Sequence, residues 1–161
     1  MTGAWIGLGA NLGDAANTVR AAIAALGELP GTRLTQASRV YATPAWGNED
    51  QPPFVNAVAS VDTDLPAVAL LQAMLALEQR FGRVRDPAVH WGPRALDLDL
   101  LLFGEQVLDL PELKVPHPYL HERAFVLVPL AEIAADLAIP GHGRVRDAVM
   151  RVDACGIAPI G

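Results

Sequence analysis

The chain has 161 residues, 52% of them hydrophobic and 19% charged, with a formal net charge of −6 at pH 7. That length and apolar content suit one domain with a real core and exclude a disordered chain. The acidic balance disfavours general affinity for nucleic acid, and the single cysteine, Cys155, excludes an intramolecular disulfide.

Residues 3–10 alternate loosely and predict a first strand. Asp14 is placed to cap a helix that runs to about Leu26, with Val19, Ile23 and Leu26 on one face and LPG at 29–31 ending it. Residues 32–41 predict a second strand. The stretch ATPAWGNEDQPPF at 42–54 is rich in Pro, Gly, Asn and Asp, which predicts a long loop, and loops of that length tend to be functional. A third strand follows at 54–63, with Phe54, Asn56, Val58 and Ser60 on one face. Asp64 and Pro66 begin a second helix, whose stripe is Leu70, Leu71, Met74, Leu77 and Phe81 and whose stop is Gly82. A polar segment, 83–95, leads into the strand of WGPRALDLDLLLFG, 91–104.

The order β-α-β-β-α-β predicts a ferredoxin-like α+β sandwich, with helices on one face of an antiparallel sheet. After Gly104 the sequence predicts extra C-terminal elements: a short strand near Val107, a Pro-rich turn at 111–118, and helices near 123–135 and 144–151. No internal repeat or linker is visible, so residues 1–161 are expected to form a single domain. The longest apolar stretches, such as AVALLQAMLAL at 67–77, are too short to cross a bilayer, and MTGAWIGLGANLGD has no basic region ahead of its apolar residues. A cytoplasmic location and no membrane partner are therefore expected.

Asp97 and Asp99 are two apart in a strand, so their side chains share a face with Leu101 and Phe103, while Leu96, Leu98, Leu100 and Leu102 share the core face. Aspartate is depleted in strands, and neighbouring like charges repel. Two carboxylates about 6–7 Å apart at the backbone can converge on divalent cations, and oxygen-only ligands suit Mg²⁺ with substrate phosphates. An ordinary half-exposed strand accounts for the same alternation.

Arg80, Arg83, Arg85 and Arg94 lie within fifteen residues and supply four of the twelve Lys and Arg. A local arginine cluster in an acidic chain points to a small anionic ligand, because guanidinium binds phosphate oxygens in a bidentate manner, although a solvated loop is the plainer reading. Arginines beside paired aspartates suit phosphoryl-type transfer, where catalysis is mostly positioning and charge stabilisation.

No G-x-x-x-x-G-K-[ST] is present, and GLGANLG at 7–13 is misspaced for a dinucleotide fingerprint, so its glycines suit close packing or a turn. His117 and His121 are four apart, but Pro116 and Pro118 argue against a regular helix there, and zinc is not expected. His117 is either structural or a hydrogen-bond donor to phosphate. Thr43, Trp46, Phe54 and Asn56 could hold a flat heteroaromatic ring by stacking and by an amide edge, or could simply pack on the core.

The stretches GLGANLGD, YATPAWGNEDQPPFVNAV, LEQRFGRVR, WGPRALDLDLLLFG and VPHPYLHERAFVLVPLAEIA occur in this order from residue 7 to about 134. In them the chain resembles the 6-hydroxymethyl-7,8-dihydropterin pyrophosphokinases of folate biosynthesis. The resemblance implies transfer of pyrophosphate from ATP, the co-substrate, to the pterin hydroxymethyl group, with release of AMP. It implies that Asp97 and Asp99 are ligands of two Mg²⁺ ions and act in catalysis with Arg83 and Arg94. Glu78, Arg85, Trp91, His117 and Arg123 would contact ATP. Thr43, Pro44, Phe54, Asn56 and Phe125 would contact the pterin, the two phenylalanines as stacking faces.

His90, Ala95, Trp46 and Tyr119 depart from residues frequent in the family, Tyr119 standing where arginine is common. The expected partners are ATP and the pterin, with the chain acting as a monomer. Direct transfer is expected, since no side chain is an obvious nucleophile. A non-catalytic metabolite-binding domain and a metal-dependent nuclease are the rival readings.

Overall fold

Thr2–Ala10 forms β1, in which Ala4, Ile6, Leu8 and Ala10 alternate into the core and are buried. The chain turns at Gly13, whose φ of +56° favours glycine, and Asp14 caps α1, Ala15–Leu26, accepting from the Asn17 N–H at 3.3 Å. The expected helix face is buried at Val19, Ile23 and Leu26. The computed structural model describes residues 1–43, 53–82 and 95–160.

The expected second strand is broken into two, β2, Thr32–Ala37, and β3, Val40–Thr43. Both pair antiparallel with β4, Phe54–Thr63, β2 along residues 59–63 and β3 along residues 54–56. Ser38 sits at the break. Its N–H donates to the Val58 carbonyl at 2.8 Å, and its Oγ accepts from the Val58 N–H at 3.0 Å. A side-chain oxygen thus serves β4 where a backbone carbonyl would in a continuous ladder.

α2, Ala67–Arg80, starts after Pro66, buries Leu70, Met74 and Leu77, and stops before Gly82. β5, Asp97–Phe103, then pairs with β1. Two hairpins follow the sheet, β6 (Leu108–Asp109) with β7 (Lys114–Val115) and β8 (Ala138–Ile139) with β9 (Gly143–Arg144). Between them lie a 3-10 turn, Leu120–Glu122, and α3, Ala124–Ala134, and α4, Val145–Val149, comes after. A last strand, β10, Ala158–Ile160, which no sequence pattern marked, pairs with β3.

The sheet order is β10-β3-β4-β1-β5, with β2 also on β4, and every pairing is antiparallel. With β2 and β3 taken as one broken strand, the first four strands and two helices make the expected ferredoxin-like unit. α1 and α2 pack on one face over Ile6, Val61 and Leu100. The C-terminal additions pack on the other face, where Leu127 and Leu130 of α3 join Val58, Leu101 and Leu102.

The alternation read for β5 holds through Leu100 and then fails. Leu100 pairs with Ile6 and Leu102 with Trp5, leaving Leu101 as an extra residue in a bulge. Leu101 and Leu102 therefore both lie in the α3 cluster, and Phe103 returns to the α1/α2 core. Among the described residues, no helix is long and apolar enough to cross a membrane.

Candidate functional site

Asp97 is the cross-strand partner of Gly9, Gly9 of Asn56, and Asn56 of Tyr41. These four residues form one row across β5, β1, β4 and β3. Cross-strand partners share a sheet face. The next row runs Asp99, Gly7, Val58, and on the other side Phe54 pairs with Thr43. The two aspartates, Asn56, Phe54 and Thr43 thus share the α3 face at one end of the sheet.

The glycines make the row possible. A Cβ on Gly9 would stand 2.9 Å from Asn56 Nδ2, closer than side chains tolerate, so the amide lies directly over the glycine. Asn56 is 8% exposed and Thr43 3%, and the Thr43 hydroxyl donates to Asn56 Oδ1 at 2.8 Å. That bond sets the amide orientation, with its NH₂ end over β1.

Asp99 keeps 38% of its side chain exposed, and His117 Nε2 stands 3.9 Å from its Oδ1. His117 is held by its backbone N–H on the Leu101 carbonyl at 2.9 Å and by Nδ1, which accepts from the Tyr119 N–H at 3.2 Å. Because Nδ1 accepts, the neutral ring carries its proton on Nε2, the nitrogen facing the aspartate. Burial first, and then the Arg123 charge, lower the His117 pKa to about 4, with Asp97 opposing them in part. The imidazole is therefore an uncharged donor at neutral pH, and its approach to Asp99 is not an ion pair.

Arg123 precedes α3, with Cζ 5.3 Å from the Tyr119 ring centre and 5.6 Å from that of Phe125. Both distances fall within cation–π range. Arg123 and Phe125 also line a cavity of about 550 Å³ whose other wall is Arg151, Val152 and Asp153. Glu78 is apart from this face. It is 2% exposed on α2, and its Oε2 accepts from the Leu98 N–H at 2.8 Å, which ties the helix to β5 between the two aspartates. Pro44, Arg83, Arg85, Trp91 and Arg94 lie outside the described residues, as do Trp46 and His90.

Among the described residues, no group of three or more His, Cys, Asp or Glu is arranged to hold a metal ion. Two half-buried carboxylates on one face suit a hard cation that keeps water and phosphate oxygens among its ligands. A soft or fully caged metal does not suit them.

Sheet and site together define a ferredoxin-like protein with two carboxylates and a buried amide on one face of its sheet. Residues 5–135 match the family model of 7,8-dihydro-6-hydroxymethylpterin-pyrophosphokinase, and the chain belongs to this family of enzymes. It is 52% identical over 136 residues to the 2-amino-4-hydroxy-6-hydroxymethyldihydropteridine pyrophosphokinase of Pseudomonas aeruginosa, covering 84% of this chain and 83% of that one. With the protein of the same description from Methylorubrum extorquens it shares 47% identity over 158 residues, 98% of each chain. Among solved structures it is similar to the Plasmodium falciparum HPPK-DHPS with pteroate, at a TM-score of 0.73 and 14% identity over 93% of this chain. That likeness is one of fold, and the chain spans only 42% of the length of that larger protein.

Proposed function

We propose that this chain catalyses the Mg²⁺-dependent transfer of pyrophosphate from ATP to the hydroxymethyl group of 6-hydroxymethyl-7,8-dihydropterin, releasing AMP. The observation that carries the reading is the row Asp97–Gly9–Asn56, with Asp99 in the next row. It puts two acids for phosphate-bound cations and an amide for a heterocycle edge on one face. Relatives with 52% and 47% identity bear the name of the pyrophosphokinase.

In the reaction, the pterin hydroxyl oxygen forms a bond to the β-phosphorus of ATP, and the bond from that phosphorus to the α-phosphate bridging oxygen breaks. The hydroxyl proton goes to a base, and AMP leaves with the electron pair. Two Mg²⁺ ions, when bound, supply positive charge against the triphosphate. Asp97 and Asp99 hold them, and the exposure of Asp99 suits a ligand arriving from solvent. Neutral His117 donates from Nε2 to a phosphate oxygen, and Arg123 adds a fixed charge nearby. Thr43 sets the Asn56 amide to read the pterin edge, and Phe54 and Phe125 give it stacking faces. Arg83, Arg85, Trp91 and Arg94 complete the ATP site in this reading, with Arg83 and Arg94 acting on the transferring group, and Pro44 lines the pterin side.

The test is incubation of the purified chain with ATP, Mg²⁺ and the reduced pterin, with products identified by mass. AMP and the pterin diphosphate are expected in equal amounts, and Asp97→Ala should reduce their formation by about a hundred- to a thousandfold, the scale of losing a principal electrostatic stabiliser. Binding without AMP would favour a sensor domain, and cleavage of a phosphodiester without pterin would favour a nuclease. Either outcome, or an Asp97→Ala variant near wild-type rate, would overturn the proposal.

A further inference from the structure

The row that begins at Asp97 runs on to Tyr41, the partner of Asn56 on β3. Tyr41 is 4% exposed, and its hydroxyl donates to Oε1 of Glu132 on α3. The same carboxylate accepts the Arg39 backbone N–H on Oε2 at 3.0 Å and the Arg39 Nε–H on Oε1 at 3.2 Å. Three donors at the start of β3 therefore converge on one acceptor of α3. Hydrogen bonds to an ionised acceptor are roughly twice as strong as neutral ones.

What the carboxylate joins gives it consequence. Two residues beyond Tyr41, Thr43 orients the Asn56 amide. Two helical turns before Glu132, Phe125 stands in the first turn of α3. Between them lies Pro129, which has no N–H to give the Phe125 carbonyl, so the helix's own ladder holds that segment less firmly. An external tie then counts for more in fixing where α3 sits on the sheet.

We infer that Glu132 is a positioning residue for the pterin, its carboxylate clamping α3 onto β3 and thereby setting the spacing between Phe125 and the Thr43–Asn56 edge. The inference rests on the reaction proposed above. The clamp touches neither the aspartates nor His117, so its loss should act on one substrate.

The experiment is steady-state kinetics with each substrate varied in turn, on wild type, Glu132→Gln, Tyr41→Phe and the double variant. Glu132→Gln keeps the shape and loses the charge. Its KM for the pterin should rise about tenfold, the size of one lost charge-assisted hydrogen bond, while KM for ATP stays within about twofold. Tyr41→Phe should raise the pterin KM by less, and should add little in the Glu132→Gln background because both act through one bond. A merely structural tie would lower the melting temperature and leave the two KM values in their wild-type ratio, and that result would overturn the inference. Should Glu132→Gln fail to fold, Tyr41→Phe carries the same KM comparison alone. An active wild type with unmoved KM ratios sinks this inference only, whereas an inactive wild type sinks the reaction and the inference with it.

Discussion

Tyr119 is expected to depart from the family pattern, and its surroundings show what a tyrosine does there. Its backbone N–H fixes the His117 tautomer, while its ring lies 5.3 Å from the guanidinium carbon of Arg123. The two roles separate cleanly, because a substitution removes the ring and keeps the N–H. The side of Tyr119 is 55% exposed, so the ring contact belongs with exposed cation–π pairs, about 0.5–1 kcal/mol. At 1.4 kcal/mol per tenfold, Tyr119→Ala should raise the KM for ATP by about two- to fivefold with kcat nearly unchanged. Tyr119→Phe, which keeps the ring, should stay at the wild-type value. Titration with ATP and initial-rate kinetics check this, and equal KM values for the alanine and wild-type proteins would show that the ring does not position Arg123 for ATP.

At the scale of elements, the break between β2 and β3 depends on one hydroxyl. Val58 is fully buried, and its N–H has Ser38 Oγ as acceptor. Ser38→Ala would leave that donor unsatisfied, at a cost of about 1–3 kcal/mol. Urea denaturation should show a lower midpoint with an unchanged slope. An unchanged midpoint would mean that water or a shifted strand replaces the serine.

Nothing in the sequence marks that break, since Thr, Gln, Ala and Ser around it fit a continuous strand equally well. The β5 bulge was hidden for a different reason. Residues 100–103 are all apolar and all buried, so a slip of one leaves no polar residue on the wrong face. Upstream, Asp97 and Asp99 supply that contrast, and there the face assignment was legible. So were the Asp14 cap and the stripe of α2, which are local signals. The Glu132 clamp was not legible, because its hydrogen bond to Tyr41 spans 91 residues and neither side chain departs from an ordinary helix or strand pattern. Short β10 carries too few residues for any period to show.

For the whole molecule, the clamp between α3 and β3 makes stability depend on pH at both extremes. Burial pushes the Glu132 carboxyl up, but hydrogen bonds from the Tyr41 hydroxyl and the Arg39 N–H and guanidinium outweigh it, so its pKa is held below the ordinary 4.5. A depressed folded pKa contributes stability that is complete above about pH 4.5 and is lost as pH falls through the lower folded value. Tyr41 is displaced the opposite way. Burial comes first, then the hydrogen bond and charge of Glu132, and these raise its pKa above 10 despite Arg39. That contribution is complete below pH 10 and is lost as pH rises through the higher folded value. Arg39, itself raised, stays charged throughout. The stability difference between wild type and Glu132→Gln, read from urea midpoints, should therefore be flat between about pH 5 and pH 9 and shrink below pH 4.5, where the wild-type carboxylate gains a proton. Tyr41→Phe should instead converge on wild type in alkali. A difference that stays constant down to pH 2 would show that the Glu132 carboxyl has the same pKa folded and unfolded, and the charge-assisted clamp would fail with it.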